Sequence, residues 1–220
     1  MAEIIPAIIG KDLKEIKSKI DRVANLVNWI QLDVVDGQFA PEKSWQTPED
    51  LEGLHGSFKI EAHLMVEKPE FILEKWILVA DRILIHYKSS ERIGEIFSDF
   101  ADSPVEIGLS LLMSTPLSVL DAHMSKLKTV QLMGISEIGY QGQAFNPLVI
   151  ERVKILRRRF PNVKISVDGG VNLENAKDLI AAGVDNLVVG SAIWQSKNPE
   201  AAITEFKSLF EINASSRGEN

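Results

Sequence analysis

Three short stretches of the chain end in side chains able to move protons or hold a cation: Gln31-Leu32-Asp33, Glu61-Ala62-His63 and Ser166-Val167-Asp168. Carboxylates and imidazoles serve both as general acids and bases and as ligands to divalent ions. His86 and Met133 close two further apolar stretches in the same way. There is no cysteine, which excludes a disulfide frame, a zinc–thiolate site and a thiol nucleophile. Any metal must therefore use histidine, carboxylate or amide oxygen.

Such residues can act together only if the chain brings them to one place. Apolar, β-branched runs recur at Ile4–Ile9, Trp29–Val35, Lys59–Met65, Arg82–Tyr87, Val105–Leu109, Thr129–Met133, Lys164–Asp168 and Asn186–Gly190. Helical patterns separate them: Asp12–Asn28, Thr47–Leu54, Pro69–Ala80, Ser90–Ala101, Pro116–His123, Asn146–Phe160, Asn172–Ala182 and Pro199–Phe210. Eight strands, each followed by a helix, in 220 residues predict an α/β chain folded as a (β/α)8 TIM barrel. A doubly wound open sheet shares the alternation, but no Gly-x-Gly-x-x-Gly follows the first strand.

The strands are polar on one face, at a spacing of two. Gln31, Asp33 and Val35 alternate with Ile30, Leu32 and Val34, and Lys59, Glu61, His63 and Met65 alternate with Ile60, Ala62 and Leu64. Successive side chains point to opposite faces, so the apolar set meets the helices and the polar set fills the barrel. Lys59, Glu61, Arg82, Glu106, Gln131 and Lys164 come early in their strands, where they are expected to satisfy one another inside the barrel. Gln31, Asp33, His63, His86, Met133 and Asp168 come late, at the rim where barrel enzymes keep their sites. Asp36 falls on the other face and reads as a loop anchor. His55 and His123 read as surface histidines.

With 31 acidic against 24 basic residues the net charge is −7, a field that repels nucleic acid and anionic membrane surfaces. The first ten residues are apolar but carry Glu3 and Pro6 and lack a basic leader, so they read as a strand and not a signal peptide. No apolar run approaches the roughly 18 residues of a bilayer span. These features predict a cytoplasmic protein. Residues 1–212 read as one domain, and residues 213–220 as a frayed polar tail.

The motifs, in order and register, are Ile-Gln-Leu-Asp-Val-Val-Asp-Gly-Gln-Phe-Ala-Pro (30–41), His-Leu-Met-Val-Glu-Lys-Pro (63–69), Leu-Met (132–133), Gly-Tyr-Gln-Gly-Gln-Ala-Phe (139–145), Val-Asp-Gly-Gly-Val (167–171) and Gly-Ser-Ala-Ile-Trp (190–194). Together they resemble the ribulose-phosphate 3-epimerase family. The resemblance implies a barrel of the ribulose-phosphate-binding type that inverts C3 of a ketose phosphate, interconverting D-ribulose 5-phosphate and D-xylulose 5-phosphate. It assigns proton transfer through an enediolate to Asp33 and Asp168. It implies a divalent metal ion (Zn, Fe, Mn or Mg) on Asp33, His63 and Asp168, with Gln31 as a fourth candidate. Substrate contacts fall to Ala7, His63, Met65, Met133, Gly139, Tyr140, Gln141, Gly142, Gly169, Gly170, Gly190 and Ser191, the last four at the phosphate. A homo-oligomer is also implied.

Three positions depart from the family pattern. Gln31 stands where the family has its first metal-binding histidine, Ala7 where a first-strand serine contacts substrate, and Ser136–Gln143 where the loop after strand six reads Asn-Pro-Gly-Phe-Gly-Gly-Gln. Two alternatives accommodate these changes: an epimerase or lyase for another ketose phosphate, or a phosphosugar-binding relative with altered or lost catalysis. The related decarboxylases carry Asp-x-Lys-x-x-Asp after strand three, which Glu61-Ala62-His63-Leu64-Met65-Val66 does not match.

Overall fold

The computed structural model describes residues 2–54, 56–138 and 143–217. Eight parallel strands pair in sequence order and close into a barrel: β1 (Glu3–Ile8), β2 (Trp29–Val35), β3 (Lys59–Met65), β4 (Arg82–His86), β5 (Glu106–Leu111), β6 (Thr129–Met133), β7 (Lys164–Asp168) and β8 (Asn186–Val189). The seam is a β1–β8 ladder from Glu3↔Asn186 to Pro6↔Val189.

The alternation along each strand sorts the side chains as expected. Ile30, Leu32 and Val34 of β2, with Ile60, Ala62 and Leu64 of β3, are buried in one continuous apolar layer that also holds Ile16 and Ile20 of the first helix. Burial of each such side chain stabilises the fold by roughly 1.5–3 kcal/mol. The inward set is polar and equally buried: Gln31, Glu61, His63, Arg82, His86, Ser110, Gln131, Ser166 and Asn186.

The helices are α1 (Leu13–Val23), α2 (Leu73–Trp76), α3 (Ile93–Asp99), α4 (Leu148–Arg159), α5 (Leu173–Ala182), α6 (Ser191–Trp194) and α7 (Pro199–Arg217). Asp12 starts α1 by accepting from the Glu15 N–H, and an Asn172–Asn175 capping box starts α5. Two expected helices are single 3-10 segments, Pro48–Leu51 and Leu117–Ala122. A third is broken at Ile72, whose backbone leaves the helical region between a Pro69–Phe71 turn and α2. The last helix runs beyond Phe210 into the expected tail, since neither glycine nor proline occurs between 211 and 217. Among the described residues no helix is long and apolar enough to cross a membrane.

The lower barrel corrects one expectation. Arg82 pairs with Glu61 at 2.6 Å and approaches Glu106 at 3.6 Å, its guanidinium 4.2 Å over the Trp29 ring. Lys59 and Lys164 do not join them; both are exposed. As first residues of their strands they lie at the bottom rim, where an ammonium reaches water instead of being desolvated. Lys59 Nζ lies 5.3 Å over the outside of this cluster, at Trp29.

Candidate active site

Register brings the late strand residues to one level. Asp33 pairs with His63 across β2 and β3, Ala7 with Gln31 across β1 and β2, and Met133 with Asp168 across β6 and β7. The Asp33 and Asp168 carboxylates converge on His63 Nδ1, at 3.1 and 3.3 Å. Gln31 Nε2 donates to both, at 2.8 Å to Asp33 Oδ1 and 2.8 Å to Asp168 Oδ2. Gln131 Nε2 adds a longer bond to Asp168 Oδ2 at 3.3 Å.

The electrostatics follow from this packing. Burial alone would drive His63 toward neutrality, but the Asp168 and Asp33 carboxylates beside Nδ1 outweigh it and push the imidazole up to about 10. Burial raises the Asp33 carboxyl, and the Asp168 charge adds to that rise against the opposing pull of His63. His63 Nε2 lies 2.9 Å from His86 Nε2. Burial, then the charge on His63, holds His86 well below the usual imidazole range, so His63 donates and His86 accepts. His86 is therefore a packing and hydrogen-bonding residue behind the site, seated against the Phe39 ring at 5.0 Å.

A pocket opens above the carboxylates. Its wall includes Ala7, Met65, Met133, Asp33, Asp168, Gly169, Gly170, Gly190 and Ser191, all singled out from sequence. His63 is not on it and is fully buried behind the carboxylates. Gly139, Tyr140, Gln141, Gly142 and His55 lie outside the described residues. Gly169 and Gly170 turn with φ of +102° and +70°, and a Cβ on Gly170 would meet the Phe145 backbone at 2.8 Å. Glycine is thus required at the sharpest turn of the wall. Asp36 is the expected loop anchor, accepting from the Gln38, Phe39 and Glu67 N–H groups. His123 is half-buried between Tyr87 and Phe97.

Sequence reading missed several wall and contact residues. Gln131, expected among the early residues that satisfy one another, bonds Asp168 instead; its inward parity with Met133 was the signal that could have placed it at the site. Ile9, Ile135, Ile138, Gln143 and Val171 also line the pocket, but they follow strand ends, where no periodicity marks direction.

Asp33, His63 and Asp168 offer ligand atoms within 4.8 Å of one another, a spacing that one divalent cation can bridge. This trio fits a metal. Gln31, as set, does not extend it: its nitrogen faces the carboxylates, and its Oε1 is buried without a partner.

Eight parallel strands with acid–base side chains at their C-terminal ends define a (β/α)8 barrel enzyme. Its fold is similar to crystal structures of 3-keto-L-gulonate-6-phosphate decarboxylase from Vibrio cholerae (TM-score 0.76, 12% identity, 96% of this chain and 97% of that one) and of 3-hexulose-6-phosphate synthase (0.72, 18%, 94% and 99%). A model of the ribulose-phosphate 3 epimerase family matches residues 3–194, and the chain belongs to that family of carbohydrate epimerases. It is 28% identical over 210 residues to the ribulose-phosphate 3-epimerase of Schizosaccharomyces pombe, covering 92% of this chain and 91% of the relative. It is 29% identical over 214 residues to that of Escherichia coli K12 (93% and 94%), and 26% over 217 to the cytoplasmic isoform of Oryza sativa subsp. japonica (96% and 95%). At these identities it is a divergent member.

Proposed function

We propose that this protein inverts C3 of a ketose phosphate, with D-ribulose 5-phosphate and D-xylulose 5-phosphate as the first pair to test. The observation that carries the reading is the carboxylate pair. Asp33 and Asp168 come from strands far apart in sequence, yet both line one pocket and bond the same Gln31 nitrogen. Inversion needs a base on one face of the carbon and an acid on the other. One carboxylate removes the C3 proton, the electron pair moves into the C2 carbonyl as an enediolate, and the other carboxylate returns a proton to the opposite face. The raised Asp33 carboxyl suits the group that starts protonated.

The enediolate's charge needs fixed positive partners. The Gln31 amide hydrogens and the His63 N–H hold the carboxylates in place in the pocket wall. A divalent ion on Asp33, His63 and Asp168 would act as a Lewis acid toward the carbonyl oxygen. The phosphate is assigned to the Gly169–Gly170 and Gly190–Ser191 backbone, where small residues let N–H groups approach an anion. We place the protein in the cytoplasm, acting as a homo-oligomer without nucleic-acid or membrane partners. Its wide match to the rice cytoplasmic isoform supports that location.

A second reading, an epimerase for another ketose phosphate, is favoured by the apolar side chains among the pocket's lining. Ala7, Ile9, Ile135 and Ile138 all line it, which suits a sugar with fewer hydroxyls.

Proton NMR of D-ribulose 5-phosphate in D2O, with and without Mn²⁺, Mg²⁺ or Zn²⁺, tests both. Loss of the C3 signal with growth of xylulose 5-phosphate supports the first reading. Binding without C3 exchange, joined by exchange on a deoxy analogue, supports the second. Silence on every ketose phosphate by a folded protein overturns both.

A further inference from the structure

The Gln31 amide nitrogen occupies an unusual position. It lies 2.8 Å from Asp33 Oδ1, 2.8 Å from Asp168 Oδ2 and 3.4 Å from His63 Nδ1. Those three residues are the trio that could hold a cation. The nitrogen therefore lies within 3.4 Å of a ligand atom of each member of the trio.

Charge fixes the direction of the amide. With nitrogen inward, two N–H bonds go to two carboxylates, and only Oε1 is left without a partner. Turned over, the carbonyl oxygen would face both carboxylates at the same short range, and the NH₂ would lose both bonds. Without a cation the reversed setting is the poorer one on every count. A cation on the trio would commit those carboxylate lone pairs to itself and take them from the amide.

We propose that Gln31 is an internal competitor for the metal site: its amide bridges Asp33 and Asp168, and a cation must displace it before binding. The side chain thereby sets a low affinity for divalent ions and holds the carboxylates together when no ion is bound. Gln31 is fully buried, so water does not relieve the competition.

The proposal concerns binding alone and does not need the epimerase reading. The decisive variant is Gln31→Leu, which removes the donor and adds no ligand. The full-length protein, stripped with EDTA, is titrated with Mn²⁺ by calorimetry and by electron paramagnetic resonance of the free ion, without substrate. The expected result is that Gln31→Leu binds Mn²⁺ on the order of tenfold tighter than wild type, the scale on which residues bonded to ligands act. Gln31→Glu, which exchanges the N–H for a carboxylate oxygen of the same shape, is expected to bind tighter still. Weaker binding by Gln31→Leu would overturn the proposal, because the amide would then be a ligand through Oε1. Equal affinities in all three proteins would overturn it as well. Failure of all three to bind Mn²⁺ at millimolar concentration would remove the site itself. Thermal melts identify a variant that has not folded, and Gln31→Met, which matches the length of the side chain, removes the donor and adds no hard ligand, then carries the test.

Discussion

The barrel encloses two charged clusters, one above the other, and they are built on opposite plans. In the lower one a guanidinium stands between two carboxylates, Glu61 and Glu106, with Trp29 across its face. In the upper one two carboxylates face an amide and an imidazole, and no lysine or arginine lines the described pocket. The lower cluster is neutralised by a charge that cannot leave, since arginine does not titrate in proteins. The upper cluster is neutralised by a proton on His63, or by an ion, and both can come and go. A permanent cation makes a strut. Its absence leaves a place where charge can change, which is what proton transfer requires.

The contrast can be broken by exchanging what each cluster depends on. Asp33→Asn and Asp168→Asn should each lower kcat by about 10²–10⁴-fold, the usual weight of a general acid or base, while the protein still folds. An active Asp168→Asn enzyme would sink the two-carboxylate reading. Arg82→Met should do the reverse, since it leaves Glu61 buried without its partner. A loss of about 3–5 kcal/mol in urea unfolding is expected, and adding Glu61→Leu should recover part of it. If Arg82→Met is neutral, the lower cluster is no strut.

Acidity separates the clusters further. His63 in the metal-free fold binds its proton more tightly than in the unfolded chain, with the folded value pushed up to about 10. That stabilisation is present in full below the unfolded imidazole value near 6.5 and is lost as pH rises through the folded value. Urea midpoints of EDTA-treated wild type should therefore fall between pH 7 and 10 more steeply than those of Asp168→Asn. Parallel curves would show that the carboxylate does not hold the proton there. The smallest effect belongs to the pocket wall. Ala7→Ser places a hydroxyl on the pocket wall, and should raise kcat/KM for a fully hydroxylated ketose phosphate by up to about tenfold, near one hydrogen bond's worth. A decrease would locate the missing sugar contact elsewhere.

The barrel and the placement of its candidate site residues were legible because strand parity is a strong code. The bounds of β2, β3, β6 and β7 follow directly from the alternation, and the same parity turned Asp33, His63 and Asp168 inward. The short helices were not legible: over four to six residues, 3-10 and α segments place apolar side chains alike. Ile135, Ile138 and Gln143 sit beyond a strand end, where direction is set by tertiary packing. For Gln31 the sequence names the amide, but which of its two heavy atoms faces the carboxylates follows only from their joint charge.

The β1–β8 seam ties Glu3 to Asn186, and Trp194 Nε1 donates to the Ala7 carbonyl across the same join. Contacts so distant in sequence form slowly, because a long loop must close before they reward it. As the chain leaves the ribosome, Asp33 and His63 emerge more than a hundred residues before Asp168. A nascent or truncated chain ending before β7 carries one of the two carboxylates and can hold no bridging ion between them. The candidate site exists only once β7 has joined the barrel.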